Sequence, residues 1–373
     1  MYQEMLEKLK DPWLLVGFIG QAIFIGPGIQ SDEGLLAVAS SINKLRPDAL
    51  INNDHPYVQA ALPALHTRKI IICHAMAWGT AVLARYNHQW SDDIIAISHD
   101  MLLMLLDKGV SPTKLSLIMN GIGDPYHEAW RPVQEPSKPI NLIYAGGWSR
   151  NKGADLLLDF ILALADYTPW LELNIYGRMK DTYASKISQK SWVKVHGRVS
   201  HKQFTASLAN ADVLLFPSKR EGCPMTVIEA MSRGVVPIVS DGRGAMRWMV
   251  DHGIDGYIAR RKHWKTDLRE ILEHLHHNRN LLYTMKLQAR NRYKKQFDIC
   301  HMIERIKRIA CQGENPVHTS NGPYQAIHWH RPVLINRSMT EKIINRIYYR
   351  FGVLRKQGYI QKEQITRTEG AIR

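Results

Sequence analysis

The chain alternates short apolar runs with longer amphipathic segments, which is typical of strands joined to helices. Residues 31–44 have an N-cap and the apolar spacing of a helix. In the first part of the chain, strands are predicted within residues 13–26 and at 50–53, 69–73, 93–98 and 115–118. Strands that alternate with helices over short loops build parallel sheets, so this part predicts an α/β domain.

The pattern starts again after the proline-rich segment 131–139. A second series of strands is predicted at 140–145, 171–177, 193–197, 211–216 and 235–240, with helices between them. From Lys265 to Cys311 the chain is predicted to be helical and basic. We therefore expect four segments: a first domain at 1–130, a linker at 131–139, a second domain at 140–300, and a helical basic extension at 301–373.

Two carboxylates bracket the turn between the strand at 211–216 and the next helix. Glu221 lies on the turn and Glu229 on the second helical turn. A helix N-terminus attracts phosphate, because its free N–H groups and the helix dipole both favour an anion. Carboxylates beside such a site suit a ligand that also has hydroxyl groups, as a sugar nucleotide does.

These motifs resemble those of the retaining group 1 (family 4) glycosyltransferases of the GT-B fold, over residues 30–310. The donor-domain motifs of that family are matched by Gly146 to Gly153, Pro217-Ser218, Glu221-Gly222, Glu229-Ala230, Gly177, Gly197 and Val235 to Val239. Pro47-Asp48, His74, Ile94 to Ser98 and Asn120 to Ile122 resemble the acceptor-domain motifs of the same family. The spacing of two glutamates by seven residues, within those flanks, is the most specific of these matches.

The resemblance implies two Rossmann-like parallel-sheet domains that face a cleft, and a transferase of polysaccharide biosynthesis. The implied reaction moves a hexose from a nucleotide diphosphate sugar to a hydroxyl of a glycan or lipid-linked acceptor, with retention at the anomeric carbon. No Asp-x-Asp occurs in the chain, so neither a cofactor nor an essential metal is expected. The charge of the leaving group would instead be stabilised by Lys152 and backbone dipoles.

Carried over by residue, the resemblance assigns catalytic roles to Glu221 and His74. Glu229 would bind the ribose hydroxyls, Glu221 the transferred sugar, and Lys152 the diphosphate. The expected donor-binding residues are Gly146, Gly147, Arg150, Lys152, Gly197, Arg198, Met225, Thr226, Val227 and Glu229. His74 could instead be a core histidine, and His55 has the same strand-end position. Cys223 is expected to pack in the core.

Several positions depart from the family pattern and support a second hypothesis. Gly147 stands where the family usually has arginine, and Arg150 could replace that arginine. Trp248 stands near a usual glutamate, and no Gly-Gly-x-Glu loop precedes Pro47-Asp48. The first domain is then shortened and rebuilt, or the chain is a fragment. The alternative function is a non-catalytic binding protein on the same scaffold, which docks to an anionic membrane or nucleic acid.

Composition narrows the compartment and the partners. The 373 residues are 45% apolar, enough for two cores, and the four cysteines form no CxxC pair. No secretory signal or membrane-spanning run is recognisable, so a cytoplasmic location is expected. The net charge of +15 resides in residues 259–373, which hold 24 lysines and arginines against 9 acidic residues.

The basic C-terminal third indicates an anionic partner surface, or only a solvated basic face. Residues 313–330 are polar and irregular, whereas 338–357 predict a basic amphipathic helix. That helix could lie on a membrane or dock on the protein itself. The expected partners are therefore a nucleotide-sugar donor, a glycan or lipid-linked acceptor, and a peripheral membrane contact, whereas transfer to nucleic acid is a less favoured third hypothesis.

Overall fold

The computed structural model describes residues 36, 39–40, 42–53, 56–74, 88–126, 132, 138–165, 167–187 and 189–311. These residues fall into two compact units: the first unit comprises residues 36–118 with 304–311, and the second unit comprises residues 119–303. The elements predicted at 13–26, 313–330 and 338–357 lie outside the described residues, and so does most of the predicted linker. Each unit is described by itself below.

The unit that contains residues 36–118 is built on a four-stranded parallel sheet whose strands follow chain order. Its elements are β1 (Ala49–Asn52), α1 (Pro56–Ala61), β2 (Arg68–Cys73), β3 (Asp93–Ala96), α2 (His99–Asp107) and β4 (Leu115–Leu117). Within the predicted helix 31–44, residues 36, 39–40 and 42–44 are helical. The Ser98 hydroxyl caps α2, as its sequence predicts, by accepting the Met101 backbone N–H at 3.3 Å.

Residues 119–303 form a six-stranded parallel sheet with helices between the strands. Its strands are β5 (Ile140–Ala145), β6 (Leu171–Tyr176), β7 (Val193–Gly197), β8 (Val213–Phe216), β10 (Val236–Ser240) and β12 (Tyr257–Ala259). The helices among them are α3 (Ala154–Ala163), α4 (Asp181–Ile187), α5 (His201–Leu208), α6 (Met225–Met231) and α7 (Met246–Met249). All four residues of β8 are buried, which accounts for its unbroken apolar run.

The strand order of this sheet is β12-β10-β8-β5-β6-β7, the order of a dinucleotide-binding Rossmann fold. The chain proceeds in one direction from β5 through β7 and then returns to β8 on the other side of β5. Ligands of such sheets bind at this switch point, beyond the carboxyl ends of the strands. The predicted α/β fold of parallel sheets is confirmed.

A short parallel ladder joins β9 (Arg220–Glu221) to β11 (Arg243–Gly244). The sequence predicts a turn at Asp241 to Gly244, with a contact to the ligand as the alternative. The ladder forms because Gly244 has a φ of 104° and lies so close to Glu221 that an added Cβ would be 1.6 Å from the Glu221 carbonyl oxygen. A glycine is therefore required here for the two loops to pair.

The predicted helical region from Lys265 to Cys311 consists of α8 (Trp264–His277), α9 (Arg279–Arg292), a π-helical turn (Tyr293–Phe297) and α10 (Ile299–Cys311). Helix α10 is amphipathic, with Ile299, Met302, Ile303 and Ile306 buried. Its apolar side thus packs against the protein, as an ordinary surface helix does. No helix in the part of the chain that the structure describes is both long and apolar enough to span a bilayer.

Residues 119–126 pack with the second sheet, although the sequence predicts the boundary at 131–139. Both carboxylate oxygens of Asp124 accept hydrogen bonds from Nη2 of Arg290, at 2.6 and 2.7 Å. Ile122 also exchanges backbone hydrogen bonds with Phe297 and Ile299. Asp124 and Arg290 are 166 residues apart in sequence, so local sequence patterns could not predict these contacts.

Candidate functional site

Three glycines line the carboxyl ends of the adjacent strands β5, β6 and β7. Gly146 follows β5, Gly177 follows β6 and Gly197 ends β7. Gly177 has a φ of 124°, and an added Cβ would be 2.0 Å from the Gly146 carbonyl oxygen. Its N–H donates to the Gly197 carbonyl oxygen at 2.7 Å. The predicted residues Gly146 and Gly197 thus lie at one edge of the sheet, the side on which ligands of such folds bind.

The loop after β5 holds Lys152 in a tight turn. Arg150 to Lys152 form a 3-10 helix, capped by the Ser149 hydroxyl, which accepts the Lys152 backbone N–H. Gly153 then adopts a left-handed conformation with a φ of 72°. An added Cβ there would be 2.1 Å from the Pro217 carbonyl oxygen, so only glycine fits. The loop after β5 and the loop after β8 are therefore in direct backbone contact.

This contact brings two predicted residues together. Nζ of Lys152 lies 2.7 Å from Oε1 of Glu221, which makes a salt bridge between residues 69 positions apart in sequence. The Glu221 side chain is 14% exposed and the Lys152 side chain 35% exposed. An ammonium has three N–H donors, so Lys152 can bind a further anion while it holds Glu221.

Glu221 itself is fixed by the ladder between β9 and β11. Its carbonyl oxygen accepts the N–H of Ala245 at 3.3 Å, and the Lys219 carbonyl oxygen accepts the N–H of Arg243 at 3.0 Å. The N–H of Lys219 donates in turn to the Asn151 carbonyl oxygen at 2.8 Å. The backbone that carries Glu221 is thus tied to the loops on both sides of it.

Glu229 lies on α6 with its side chain 12% exposed. Its Oε1 is 2.7 Å from Nε2 of His201, at the start of α5. At the other end of the residue, the Glu229 carbonyl oxygen accepts the hydroxyl of Ser232 at 2.8 Å. The carboxylate therefore has a defined partner beyond the ends of the strands, whereas the backbone is held within its own helix.

The beginning of α6 supplies the backbone donors that the sequence predicts. The N–H of Val227 donates to the Pro224 carbonyl oxygen at 3.2 Å. Among the hydrogen bonds of the described residues, none uses the backbone N–H of Met225 or Thr226. Two of the three predicted donors are thus oriented as at any helix start, while the third is engaged within the turn.

Gly147 and Arg198 complete the predicted donor set. An added Cβ at Gly147 would meet no atom within 4 Å, so the structure leaves room for a larger residue there. Arg198 is exposed in the loop after β7.

His74 belongs to the other compact unit and lies directly after β2. Its Nε2 is hydrogen-bonded to Oδ1 of Asn53, which follows β1. Burial lowers the pKa of His74 to about 4, so its imidazole is neutral at neutral pH. A neutral imidazole can contact a hydroxyl without carrying charge. His55, the second histidine considered, lies outside the described residues.

Two residues near the predicted set were missed by sequence reasoning. The first is Tyr144 in β5, whose hydroxyl donates to the Gly147 carbonyl oxygen at 3.4 Å. Burial, the Glu221 charge and the Asp155 charge raise the pKa of Tyr144, so its hydroxyl stays protonated. The second is His201, beside Glu229. The sequence signal that could have located His201 is the capping sequence from Ser200 to Gln203, which marks the start of α5.

Other reactive groups of this unit fit structural roles. Burial raises the pKa of the Cys223 thiol to about 12, which agrees with a packing residue and not a nucleophile. Among the residues that the structure describes, no three or more His, Cys, Asp or Glu side chains are grouped as metal ligands would be.

Comparisons with known proteins bear on the same region. Residues 127–293 match the model of the family described as glycosyl transferases group 1. An uncharacterized 41.2 kDa protein in the cps region of Klebsiella pneumoniae is 26% identical, over 45% of this chain and 48% of that protein. The match thus spans about half the length of that relative.

Two further proteins are similar over a longer part of the chain. The GDP-mannose:cellobiosyl-diphosphopolyprenol alpha-mannosyltransferase of Xanthomonas campestris is 24% identical, over 65% of this chain and 67% of that enzyme. The crystal structure of Anabaena HepE in complex with UDP superimposes with a TM-score of 0.61 at 15% identity, and covers 74% of this chain and 81% of that one. Together with the Rossmann strand order, these likenesses show that residues 127–293 are similar to the group 1 glycosyltransferases and that the chain shares the fold of the solved HepE structure.

Proposed function

We propose that the protein transfers a hexose from a nucleotide diphosphate sugar to a hydroxyl of a glycan or lipid-linked acceptor, with retention at the anomeric carbon. The observation that carries the proposal is the salt bridge between Lys152 and Glu221, 2.7 Å long, at the switch point of a Rossmann sheet. Close by in sequence, Glu229 presents a second, largely buried carboxylate.

Each group has a distinct role toward such a donor. Lys152 binds the diphosphate and stabilises the negative charge that develops on it as the glycosidic bond breaks. The N–H groups of Met225 and Thr226 add two backbone dipoles to that stabilisation. As the new glycosidic bond forms, the acceptor hydroxyl releases its proton, and the nucleoside diphosphate leaves as an anion with the electron pair of the broken bond.

The two carboxylates recognise hydroxyl groups. Glu221 accepts hydrogen bonds from the transferred sugar, and its salt bridge to Lys152 keeps the sugar next to the diphosphate. Glu229 accepts from the vicinal ribose hydroxyls, because one carboxylate offers two oxygens to two adjacent donors. His74, neutral and half-buried, contributes a polar contact to the reacting sugar.

The acceptor class is supported by the Xanthomonas relative, whose name specifies a diphosphopolyprenol acceptor. A lipid-linked acceptor would put the reaction at a membrane surface, for which we propose the cytoplasmic face. The exposed cations of α10, such as Arg308 in its last turn, would favour peripheral contact with anionic lipid.

The proposal is tested by nucleotide release from the full chain. A panel of UDP-, GDP- and ADP-sugars is incubated with lipid-linked and glycan acceptors, and the released nucleotide is measured. Because hydrogen bonds to charged groups contribute about 1.5–3 kcal/mol, Glu229→Ala should slow release by about 10- to 100-fold. Glu270→Ala, which removes an exposed carboxylate of α8 in the same unit, is the matched control.

The outcomes separate the site, the stereochemistry and the alternative. Release that is equal in wild type and Glu229→Ala would refute the assignment of the donor site. Proton NMR of the product reads the anomeric configuration, and inversion would refute retention. If calorimetric titration shows that UDP, GDP and ADP all fail to bind, the non-catalytic binding protein becomes the better hypothesis.

A further inference from the structure

The contact between His201 and Glu229 links two helices of the second unit near the predicted donor residues. Nε2 of His201 lies 2.7 Å from Oε1 of Glu229. The Glu229 side chain is 12% exposed, whereas the His201 side chain is 75% exposed. A carboxylate has only acceptors, so Nε2 of His201 carries the hydrogen and donates it.

The backbone of His201 is firmly positioned although its ring is open to solvent. Ser200 and Gln203 form a reciprocal capping box at the start of α5, in which each side chain accepts the backbone N–H of the other residue. Phe204 and Leu208 of this helix are buried and hold it against the protein. The first residue of α5 is therefore fixed at the end of the loop that follows β7, and the histidine ring extends from a rigid origin.

This hydrogen bond is the anchor that the structure gives to the Glu229 carboxylate. Arg233 lies near enough for the Glu229 charge to act on its pKa. Its Nη1, however, donates to the Glu229 carbonyl oxygen at 3.1 Å and to the Ser232 hydroxyl at 3.0 Å. Among the described residues, only His201 donates a hydrogen bond to the carboxylate itself. Without that donor, the side chain would be free to rotate about its own torsions.

A donor on one oxygen leaves the carboxylate able to bind a diol. Each carboxylate has about four lone-pair sites, so one bond from His201 leaves about three for other donors. Two adjacent hydroxyls can then bond to Oε1 and Oε2 together, provided that the carboxylate plane is already oriented. Holding that orientation before the ligand arrives removes part of the entropy cost of binding.

We propose that His201 is a positioning residue that orients Glu229 toward the ribose hydroxyls of the donor nucleotide. This inference rests on the proposed function, because it takes Glu229 as the ribose-binding carboxylate. It adds a residue and a selectivity to that function: His201 and Glu229 together favour ribonucleotides over nucleotides that lack the 2′ and 3′ hydroxyls. His201 acts through Glu229 and not on the reacting atoms.

The test compares one nucleoside diphosphate with its 2′,3′-dideoxy analogue. The base is the one that wild type binds most tightly among UDP, GDP and ADP, and both dissociation constants are measured by calorimetry on the full chain. A net hydrogen bond contributes about 1 kcal/mol, so His201→Ala should reduce the ratio of the two constants about fivefold. Affinity for the dideoxy analogue should stay unchanged.

Two further variants show whether the effect comes from the hydrogen bond. His201→Gln keeps an N–H donor at the place of Nε2, and should recover most of the selectivity. Lys202→Ala removes the next exposed side chain on the same helix and should leave both affinities unchanged. A purely structural role of His201 would weaken the binding of both nucleotides equally, which would overturn the proposal.

Glu229→Ala distinguishes a failure of this inference from a failure of the proposed function. If Glu229→Ala removes the preference for the ribonucleotide and His201→Ala keeps it, only the role of His201 is refuted. If wild type binds the two nucleotides equally well, Glu229 does not bind ribose and both proposals fail.

Discussion

The glycine at position 153 offers a sharp test of how the second unit is assembled. Its φ of 72° is in the left-handed region, and an added Cβ would be 2.1 Å from the Pro217 carbonyl oxygen. Replacement by alanine therefore has two costs, one from the backbone conformation and one from the contact. The same substitution at Gly253, with a φ of 77° and no atom within 4 Å of an added Cβ, has only the first cost.

The two costs can be given magnitudes. A left-handed conformation costs an L-residue about 1–2 kcal/mol, which is the expected loss for Gly253→Ala. Forcing extra volume into a packed site typically costs about 1–3 kcal/mol more. Gly153→Ala should therefore lower the free energy of unfolding by about 2–5 kcal/mol. Gly147→Ala, with open space around it and no positive φ, should lie near wild type.

The assay is equilibrium urea unfolding, followed by tryptophan fluorescence and far-ultraviolet circular dichroism on the same samples. Gly153→Ala should also weaken nucleotide binding, because Gly153 fixes the turn that presents Lys152. Equal losses of stability in Gly153→Ala and Gly253→Ala would refute the reasoning, since they would mean that the approach of Pro217 is not tight. Equal stability of all three variants would refute the backbone argument as well.

Two further predictions concern charge and pH. Arg290→Met breaks the pair with Asp124, in which the arginine side chain is 4% exposed, and should lower the free energy of unfolding in urea by about 3–5 kcal/mol. Arg269→Met breaks an exposed pair with Glu273 and should lower it by under about 1 kcal/mol. Similar losses in the two variants would contradict a buried role for Arg290. Burial lowers the pKa of His74 from 6.5 to about 4, so its contribution to stability is complete above pH 6.5 and is lost as the pH falls toward 4, by roughly 3 kcal/mol. His74→Gln should flatten that part of the pH dependence of the urea midpoint, and an unchanged slope would exclude His74 as its source.

Much of the fold was predictable because its signals are local. Five of the six strands in the larger sheet were expected nearly where they occur, because β8 is a continuous apolar run and β6 and β7 alternate apolar with polar residues. The strand β12 was not predicted. Ser98 likewise indicated a helix start from its residue type and its place after a strand. The ladder between β9 and β11 was missed because two residues are too few to give a periodic pattern.

The candidate site was predictable in part for a different reason. Glu221, Glu229 and Lys152 were identified by a family motif, whose spacing follows from a strand, a turn and a helix. Tyr144 and His201 carry no such motif, because their relevance depends on which side chains they meet. The carboxylates that act on them, Glu221 by its charge on Tyr144 and Glu229 by a hydrogen bond with His201, are far away in the chain, so local sequence could not have selected these two residues.

The amino-acid sequence by itself determined the parallel α/β class, the caps and turns, and the two carboxylates of the donor motif, because these depend on residues within a few positions of each other. Only the tertiary structure decided which of those groups meet. Lys152 reaches Glu221 across 69 residues, and His201 reaches Glu229 across 28. The strand order places β5 beside β8, and the packing of Gly153 on Pro217 closes the gap between their loops. Hydrogen bonds and ion pairs act over a few ångströms in space, whatever the separation of the residues along the chain.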